Sequence, residues 1–296
     1  MGPGLDRGEG IGRALADALY KRPRLQLSLL LAGPVGWLLI AYIGSLVVLF
    51  VAAFWRLDPF SAEIVKDLGF QNFETLWQED VYREIAQRTF VIAGLVTLAD
   101  ALLAFPIAFY MAKVATPRVR ALLLVAVLMP LWSSYVVKVY AWRTILNEEG
   151  ILNWLLDPLG AEGPGFGNVA TWLVFTYLWL PFMIVPIYAG LERIPNSLLD
   201  ASGDLGGRPW LTFRRVIFPL AFPAVVAGSI FTFSLTIGDY ITPTLVSSTQ
   251  FIGNVVYANV GVANNLPLAA AFALVPVMAM VLYLLVARRL GAFENL

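Results

Sequence analysis

The chain alternates long apolar runs with short polar connections. Each run is apolar all round, a pattern typical of helices that lie in lipid or inside a bundle. A segment that spans lipid is either a helix or a strand of a closed barrel, and runs of about 20 residues indicate helices. Proline and glycine within such runs are tolerated in spanning helices. The pattern predicts an all-α membrane protein with six transmembrane helices, at residues 29–55, 89–112, 121–142, 169–190, 220–246 and 268–287.

The composition supports this fold class and excludes several kinds of site. Charged residues make up 14% of the 296 residues, against about 25% in a typical soluble domain. The chain has no Cys and no His, which excludes disulfides, thiolate and imidazole metal sites, and triads that need a histidine. We therefore expect no metal and no cofactor bound by this chain. The polar first 28 residues and the long first run do not fit a cleavable signal peptide.

The charges predict an orientation in the membrane. Most basic residues, 14 of 20, lie before span one or after spans two, four and six: Arg7, Arg13, Lys21, Arg22, Arg24, Lys113, Arg118, Arg120, Arg193, Arg208, Arg214, Arg215, Arg288 and Arg289. The opposite loops are acidic: Asp58, Glu63, Asp67, Glu74, Glu79, Asp80, Glu148, Glu149, Asp157 and Glu162. Basic loops face the cytoplasm. We expect a cytoplasmic segment 1–28, a six-helix domain 29–290 with a cytoplasmic loop 191–219, and a cytoplasmic tail 291–296.

The two longer outer loops, about 56–88 and 143–168, are expected to be irregular or to contain short helices. The glycine-rich stretch GAEGPGFGN at 160–168 is not a phosphate-binding loop, because no Gly-Lys-Ser/Thr follows the glycines. No ATP-binding motif of that kind occurs elsewhere in the chain, and nothing in it resembles a catalytic centre.

The loop between spans four and five contains a charged stretch, LLDASGDLGGRPWLTFRRVIFPL, at residues 198–220. Ser197 and Asp200 have the spacing of a capping box, while Pro195 also suits a first helical turn and leaves the start open by a few residues. Gly206 or Gly207 suits the left-handed residue that ends a helix. Pro209 is favoured in the first turn of a second helix. The stretch therefore predicts a helix-turn-helix. The alternative is a connector packed under the bundle, with Asp200 as a cap only; DNA binding is disfavoured because the helices are short and scarcely basic.

This stretch resembles the coupling motif of permease subunits of binding-protein-dependent ABC importers. That motif reads Glu-Ala-Ala, three residues, Gly, nine residues, Ile, one residue, Leu-Pro. The chain has Asp200-Ala201-Ser202, Gly206, Val216 and Phe218-Pro219 at the same spacing. The four departures are conservative, although the shorter Asp200 changes the reach of the carboxylate.

The resemblance implies an inner-membrane type I importer permease whose two short helices dock on a separate ATPase subunit. The residues expected at this contact are Ser197, Asp200, Ala201, Ser202, Asp204, Gly206, Arg208, Phe213, Arg214 and Pro219. The implied partners are two ATPase subunits, a second related permease, an extracytoplasmic solute-binding protein and membrane lipid, but no nucleic acid. ATP and Mg²⁺ would be bound by the ATPase, so this chain is expected to be non-catalytic.

Two further segments, PLWSSYVVKVYAWRTILNEEGILNWLL at 130–156 and TIGDYITPTLV at 236–246, are similar to permeases for spermidine, putrescine and opines. Together with this similarity, charged residues inside the spans indicate a path for a cationic solute, since such residues usually face a cavity or a partner. The residues considered for this path are Asp100, Trp132, Ser134, Tyr135, Lys138, Asp239, Tyr240 and Thr242.

The sequence leaves other interpretations of these residues open. Lys138 would otherwise snorkel to the outer surface. Asp239 would pair with a partner subunit or cap a helix break before Pro243, and Asp100 would bond to a neighbouring helix. The alternative functions are import of an opine, amino acid, sugar or anion, or a receptor or channel that needs no ATPase.

Overall fold

The computed structural model describes residues 23–289. The predicted cytoplasmic tail 291–296 and most of the predicted segment 1–28 lie outside the described residues. The chain divides into two compact units, Met1–Ala52 and Ala53–Leu296. The predicted domain bounds remain predictions.

The described part of the first unit is one apolar helix. It consists of α1 (Pro23–Leu38), a single π-helical turn (Leu39–Ile43) and α2 (Gly44–Ala52). The stretch Gln26–Ala52 is long and apolar enough to cross a membrane. Span one, predicted at 29–55, is therefore confirmed but ends three residues earlier.

The described part of the second unit, residues 53–289, contains helices and one short hairpin. Its strands β1 (Arg56–Leu57) and β2 (Ile64–Val65) pair antiparallel, with Arg56 opposite Val65 and Leu57 opposite Ile64. Its described helices are α3 (Gln71–Gln78), α4 (Asp80–Phe109), α5 (Pro117–Trp132), α6 (Tyr135–Leu146), α7 (Ile151–Leu156), α8 (Asn168–Glu192), α9 (Asn196–Asp204), α10 (Pro209–Thr212), α11 (Phe218–Gly238), α12 (Ile241–Val246), α13 (Ile252–Gly261) and α14 (Leu266–Arg289).

Helices α4, α8 and α11 form the centre of this unit, and small residues let two of them approach closely. A Cβ added to Gly190 on α8 would lie 2.4 Å from the Cβ of Ala224 on α11. A Cβ on Gly228 of α11 would lie 2.7 Å from the sulfur of Met183 on α8. Small residues at helix contacts are typical of membrane bundles, because packing rather than water exclusion drives association there.

Span three, predicted as one segment at 121–142, is broken. Helices α5 and α6 are bent by 93° at residues 133–134. The carbonyl of Pro130 at the end of α5 accepts hydrogen bonds from Ser133 Oγ at 2.8 Å and from Lys138 Nζ at 3.0 Å. The last carbonyls of a helix lack helical donors and carry partial negative charge, so the Lys138 ammonium stabilises this end. Within residues 23–289, five helices are long and apolar enough to span, or six if the bent pair is one span.

Two other predicted spans have different bounds in the structure. Span five was predicted at 220–246, but α11 ends at Gly238 and α12 is a separate short helix. Span two was predicted to begin at residue 89, but α4 begins at Asp80. Its first turns are polar and include a 2.5 Å ion pair between Glu84 and Arg88, so hydropathy detects only the later part of the helix. Helix α13 was not predicted.

Candidate functional site

The predicted helix-turn-helix is present between α8 and α11. Helix α9 follows α8 after three residues, α10 follows the Gly206-Gly207 turn, and a π-helical turn (Phe213–Ile217) leads directly into α11. The second helix is therefore continuous with a spanning helix, so a displacement of the helix-turn-helix would be transmitted to the bundle.

The turn between α9 and α10 is tightly specified. Gly206 has φ +78°, as predicted for the left-handed residue that ends a helix. The N–H of Gly207 donates to the carbonyl of Ser202 at 2.8 Å, and a Cβ on Gly207 would lie 2.6 Å from that oxygen. The hydroxyls of Ser202 and Thr212 are hydrogen-bonded at 2.8 Å across the two helices. These contacts fix the angle between the helices.

The predicted capping box at the start of α9 is wrong. The helix begins at Asn196, after Pro195, and no side chain caps it. Proline already sets the backbone dihedral that the helix entrance needs. Asp200 is exposed and makes no capping hydrogen bond at the start of α9.

Two basic residues that were not predicted hold the base of the helix-turn-helix. Lys113, at the end of the span that contains α4, donates to the carbonyl of Ile194 at 2.5 Å and to Asn196 Oδ1 at 3.3 Å. Arg120 on α5 donates to the carbonyl of Met111 at 3.0 Å and lies 3.3 Å from Glu192 Oε1. The signal for them was their position in basic loops, which was used only for orientation.

The helix-turn-helix has both buried and exposed apolar side chains. Leu199, Phe213 and Ile217 pack against the core of the bundle, and Phe213 makes an edge contact with Phe105 of α4 at 5.5 Å. Four large apolar side chains of the same element are exposed: Leu198, Leu205, Trp210 and Leu211. Large exposed apolar groups concentrated on one short element indicate a contact surface.

The residues predicted to couple to an ATPase lie mostly on exposed positions of this element. The exposed ones are Ser197, Asp200, Ala201, Asp204, Gly206, Arg208, Arg214 and Pro219, whereas Ser202 and Phe213 are half-buried. Ser202 fixes the turn and Phe213 anchors the second helix. The remaining residues are free to meet another protein.

At the other end of α11, a hydrogen-bond network surrounds Asp239. Its Oδ1 accepts from the backbone N–H of Ile241 at 2.7 Å and of Thr242 at 3.2 Å. Its Oδ2 accepts from Thr242 Oγ1 at 3.0 Å and from the hydroxyl of Tyr135. The carboxylate thus caps the break before α12, as one of the sequence interpretations proposed.

This network joins the two broken spans. Tyr135 is the first residue of α6, directly after Ser134 at the break, and its ring stacks on Trp179 of α8 at 5.9 Å. Of the residues considered for the solute path, the network brings Tyr135, Asp239 and Thr242 together, with Ser134 and Tyr240 next to them in the chain.

The other three candidates lie apart from this network. Lys138 bonds to Pro130 at the helix break and Trp132 is exposed. Asp100 lies on the central helix α4 with 0% exposure, and neither of its carboxylate oxygens has a hydrogen-bond partner within residues 23–289. The predicted alternative of a bond to a neighbouring helix is therefore wrong in this conformation.

A cleft of about 520 Å³ opens beside the Asp239 network. It is lined by Tyr140 of α6, by Tyr240 and α12, and by Asn254 and Tyr257 of α13. Tyr140, Asn254 and Tyr257 were not predicted as site residues, because nothing in the sequence connects α6 with α13. Among the described residues no group of three or more acidic side chains has the arrangement of a metal site.

Comparison with known proteins identifies the family. The family model described as "Binding-protein-dependent transport system inner membrane component" matches residues 86–293. The chain is 45% identical over 303 residues to the inner membrane ABC transporter permease protein YdcU of Escherichia coli K12, covering 97% of this chain and 96% of that protein. It is 30% identical over 268 residues to the spermidine/putrescine transport system permease protein PotB of E. coli K12, covering 88% and 96%.

Solved structures share the fold. A chain of a bacterial alginate ABC transporter, in complex with an alginate pentasaccharide-bound periplasmic protein, matches with TM-score 0.70 and 17% identity, over 93% of this chain and 96% of that chain. A chain of the methionine ABC transporter MetNI matches with TM-score 0.56 and 16% identity, over 73% and 95%. The chain therefore belongs to the binding-protein-dependent transport system inner membrane components, and it is a non-catalytic, multi-pass permease subunit of an ABC importer.

Proposed function

We propose that this permease subunit imports a polyamine or a related amine, and that its helix-turn-helix, residues 196–217, docks on an ATPase subunit. The observation that supports the docking is that this element buries some apolar side chains in the bundle and exposes others. Leu199, Phe213 and Ile217 pack in the bundle, whereas Leu198, Leu205 and Trp210 are exposed. The importer motif from Asp200 to Pro219 falls on this same element.

The solute class rests on the relatives and on the outer network. PotB, at 30% identity, is named for spermidine and putrescine transport, whereas the name of YdcU specifies no solute. Asp239, Tyr135 and Tyr240 offer a carboxylate and aromatic rings beside an open cleft, which suits a cation. Opines, amino acids, sugars and anions are the alternative solutes; an anion would be repelled by Asp239.

In the proposed mechanism two ATPase subunits drive two permeases between inward-open and outward-open states. ATP and Mg²⁺ bind to the ATPase pair, whose closure brings the docked helix-turn-helix elements together. Because α10 continues into α11, this movement would reach the outer network. The bundle then takes solute from an extracytoplasmic binding protein, and hydrolysis resets it. The second permease is a related but distinct chain, and both termini are cytoplasmic.

Docking is tested with a matched pair of leucines. Leu205 is 90% exposed and lies in the turn that follows α9, beyond the C-terminal end of α8. Leu159 is 78% exposed and lies before the N-terminal end of α8, so the two leucines belong to loops at opposite ends of that spanning helix. In the purified transporter with its binding protein, Leu205→Asp should reduce stimulated ATPase activity by roughly tenfold, as for a contact residue at an interface centre. Leu159→Asp should leave that activity unchanged. Equal activity of the two variants would contradict the docking surface.

Two further variants act on the motif itself. Gly206→Pro is incompatible with φ +78°, because proline fixes φ near −65°, and Asp200→Arg reverses an exposed charge. Each should uncouple ATPase activity from the binding protein or prevent assembly. Normal transport by both variants would exclude the coupling role.

The solute is tested in reconstituted vesicles with the cognate binding protein. Labelled spermidine or putrescine should accumulate when ATP is present on the ATPase side, and a sugar of similar size should not. A thermal-shift screen of the binding protein against amines, opines, amino acids, sugars and anions identifies the class independently. Stabilisation by sugars or anions alone would contradict an amine solute.

A further inference from the structure

The cleft beside the Asp239 network has aromatic walls at the end of α11 that lies away from the helix-turn-helix. Tyr140 stands on α6, one helical turn after Val136, and forms one wall. Tyr240 and Tyr257 belong to the other walls, and their rings are stacked with centroids 4.7 Å apart and planes 12° apart. All three tyrosines are exposed. The cleft thus presents several accessible rings within one space of about 520 Å³.

Several polar groups around these rings are bonded to one another. Asn254 Nδ2 donates to the carbonyl of Tyr240 at 2.9 Å and to Thr244 Oγ1 at 2.6 Å, and Asn254 Oδ1 accepts from the N–H of Phe251. The hydroxyls of Ser247 and Thr249 lie 3.0 Å apart in a hydrogen bond. The polar groups that stay available at the cleft, the tyrosine hydroxyls and the side chains of Ser248 and Gln250, carry no charge. The exposed ring faces are therefore the groups of the cleft that suit a cation.

The charge of the cleft is also informative. No charged side chain of the described residues lines it. The guanidinium of Arg88 donates to the carbonyl of Gln250, a lining residue, at 3.0 Å, and its charge is paired with Glu84 at 2.5 Å. Asp239, one residue before Tyr240, contributes negative potential, although its oxygens already accept hydrogen bonds. The negative faces of aromatic rings attract an ammonium group within about 6 Å of the ring centroid.

We propose that this cleft binds an ammonium group of the solute at the outer end of the path. The inference deepens the proposed import of amines and rests on it. Tyr140, Tyr240 and Tyr257 supply the ring surfaces, and the network at Asp239 positions Tyr240. The site would select cationic over neutral and anionic solutes after release from the binding protein.

Gly253 fixes the geometry of the rings. A Cβ at this position would lie 2.9 Å from the carbonyl oxygen of Asp239 and 3.0 Å from the Cβ of Tyr240. Only glycine lets the start of α13 approach the break so closely, which places Tyr257 on Tyr240. Gly253→Ala should therefore weaken binding of the ammonium group without removing any ring.

The test measures binding by the complete purified transporter in detergent, without ATP or binding protein. The probes are tetramethylammonium, which has charge but no N–H donor, and neopentyl alcohol, a neutral compound of similar shape. Saturation-transfer NMR of the tetramethylammonium methyl protons should show a signal that spermidine displaces, and neopentyl alcohol should give none. Tyr257→Leu and Tyr140→Leu should weaken binding roughly threefold or more, whereas Tyr257→Phe and Tyr140→Phe should bind like the wild type.

Two results would overturn the site: equal binding of tetramethylammonium by the Leu and Phe variants, or equal spermidine-sensitive signals from both probes. Weaker affinity for the binding protein with unchanged tetramethylammonium binding would instead make the cleft a docking surface, which also contradicts the proposal. Failure of the proposed function is separable. If the wild type imports no amine yet shows tyrosine-dependent binding, the solute is wrong while the ammonium site stands.

Discussion

The break after α11 and the middle of α4 each contain an aspartate within an apolar stretch, and the two carboxylates have opposite surroundings. Asp239 accepts four hydrogen bonds, two of them from backbone N–H groups at the start of α12. Asp100 accepts none within residues 23–289. An unbroken helix uses its own N–H groups, whereas a helix start has free ones. A break therefore supplies the donors that a carboxylate needs, and a continuous helix leaves it dependent on a neighbour, a solute or a proton.

The largest loss of stability is expected at Asp239. Asp239→Leu leaves the backbone N–H groups of Ile241 and Thr242 without their acceptor and leaves the hydroxyls of Tyr135 and Thr242 with only each other, and each buried donor left unpaired is costly. We expect a loss of about 2–4 kcal/mol in stability, measured as a lower thermal midpoint of the solubilised transporter, together with loss of uptake. An unchanged midpoint would mean that the network is not structural.

The variant Asp239→Asn serves as the control, since its side-chain oxygen still caps α12 while its charge is absent. The midpoint should stay close to that of the wild type. If the carboxylate also attracts a cationic solute, uptake of spermidine should fall in this variant. Retained uptake would restrict Asp239 to its capping role.

The second largest change in stability is expected at Asp100, where the substitution should stabilise the protein. Leucine has a similar size and needs no partner, so Asp100→Leu should stabilise the protein by about 1–3 kcal/mol. Because ionisable residues inside spans usually mark a solute path or a partner contact, we predict reduced uptake in the same variant. A matched change on the same helix, Leu102→Ala at an exposed position, should alter neither quantity strongly. Stabilisation with full uptake would remove Asp100 from the solute path.

These aspartates also mark how far the sequence could predict the fold. Apolar runs located the long helices α4, α8, α11 and α14, because lipid requires them to be apolar over their length. The same property conceals breaks, since a bent span and a straight one have equal hydropathy. Proline was no guide: Pro106 and Pro181 lie inside continuous helices, whereas Pro130 lies three residues before a break.

The helix-turn-helix was predictable because its signals are local. Gly206, Gly207 and Pro209 specify the turn and the second helix within four residues, whereas the start of α9 depended on whether Pro195 or Ser197 ended the preceding loop. The cleft was not predictable, because Tyr140 and Tyr257 come together only through the packing of α6, α12 and α13. From the sequence, capping of a helix break was only one of the roles open to Asp239, beside pairing with a partner subunit and lining the solute path.

A smaller effect is expected at Tyr135. Tyr135→Phe keeps the ring on Trp179 but removes one of the four donors to Asp239, so we expect a loss of about 1 kcal/mol. Tyr177→Phe is the matched control, since its ring packs on Trp142 of α6 at 5.4 Å. A larger loss for Tyr177→Phe than for Tyr135→Phe would contradict the importance of the network. In the double variant with Asp239→Leu, the combined loss should be smaller than the sum of the two single losses, because both changes remove the same hydrogen bond.

The smallest effect concerns Asp58, which repeats the geometry of Asp239 in an exposed hairpin. Its Oδ1 accepts from the N–H of Phe60 at 2.8 Å and of Ser61 at 3.0 Å, two and three residues ahead, as Asp239 does for residues 241 and 242. The backbone N–H groups of Ser61 and then Phe60 lower the pKa of Asp58 below its ordinary value of 3.8. A lowered pKa means that the turn is stabilised above that ordinary value and loses this contribution as the pH falls through the lowered pKa.

Hydrogen exchange of residues 56–65 should therefore be constant from neutral pH down to about pH 4, after correction for the intrinsic rate, and should become faster below it. Because the side chain is exposed, water competes for these bonds and the change should be small. Asp58→Asn keeps the acceptor without a titrating group, so its exchange should not depend on pH in this way. Equal pH dependence in the two proteins would show that the carboxylate does not stabilise the turn. Asp58 would then share the hydrogen-bond geometry of Asp239 without contributing to stability.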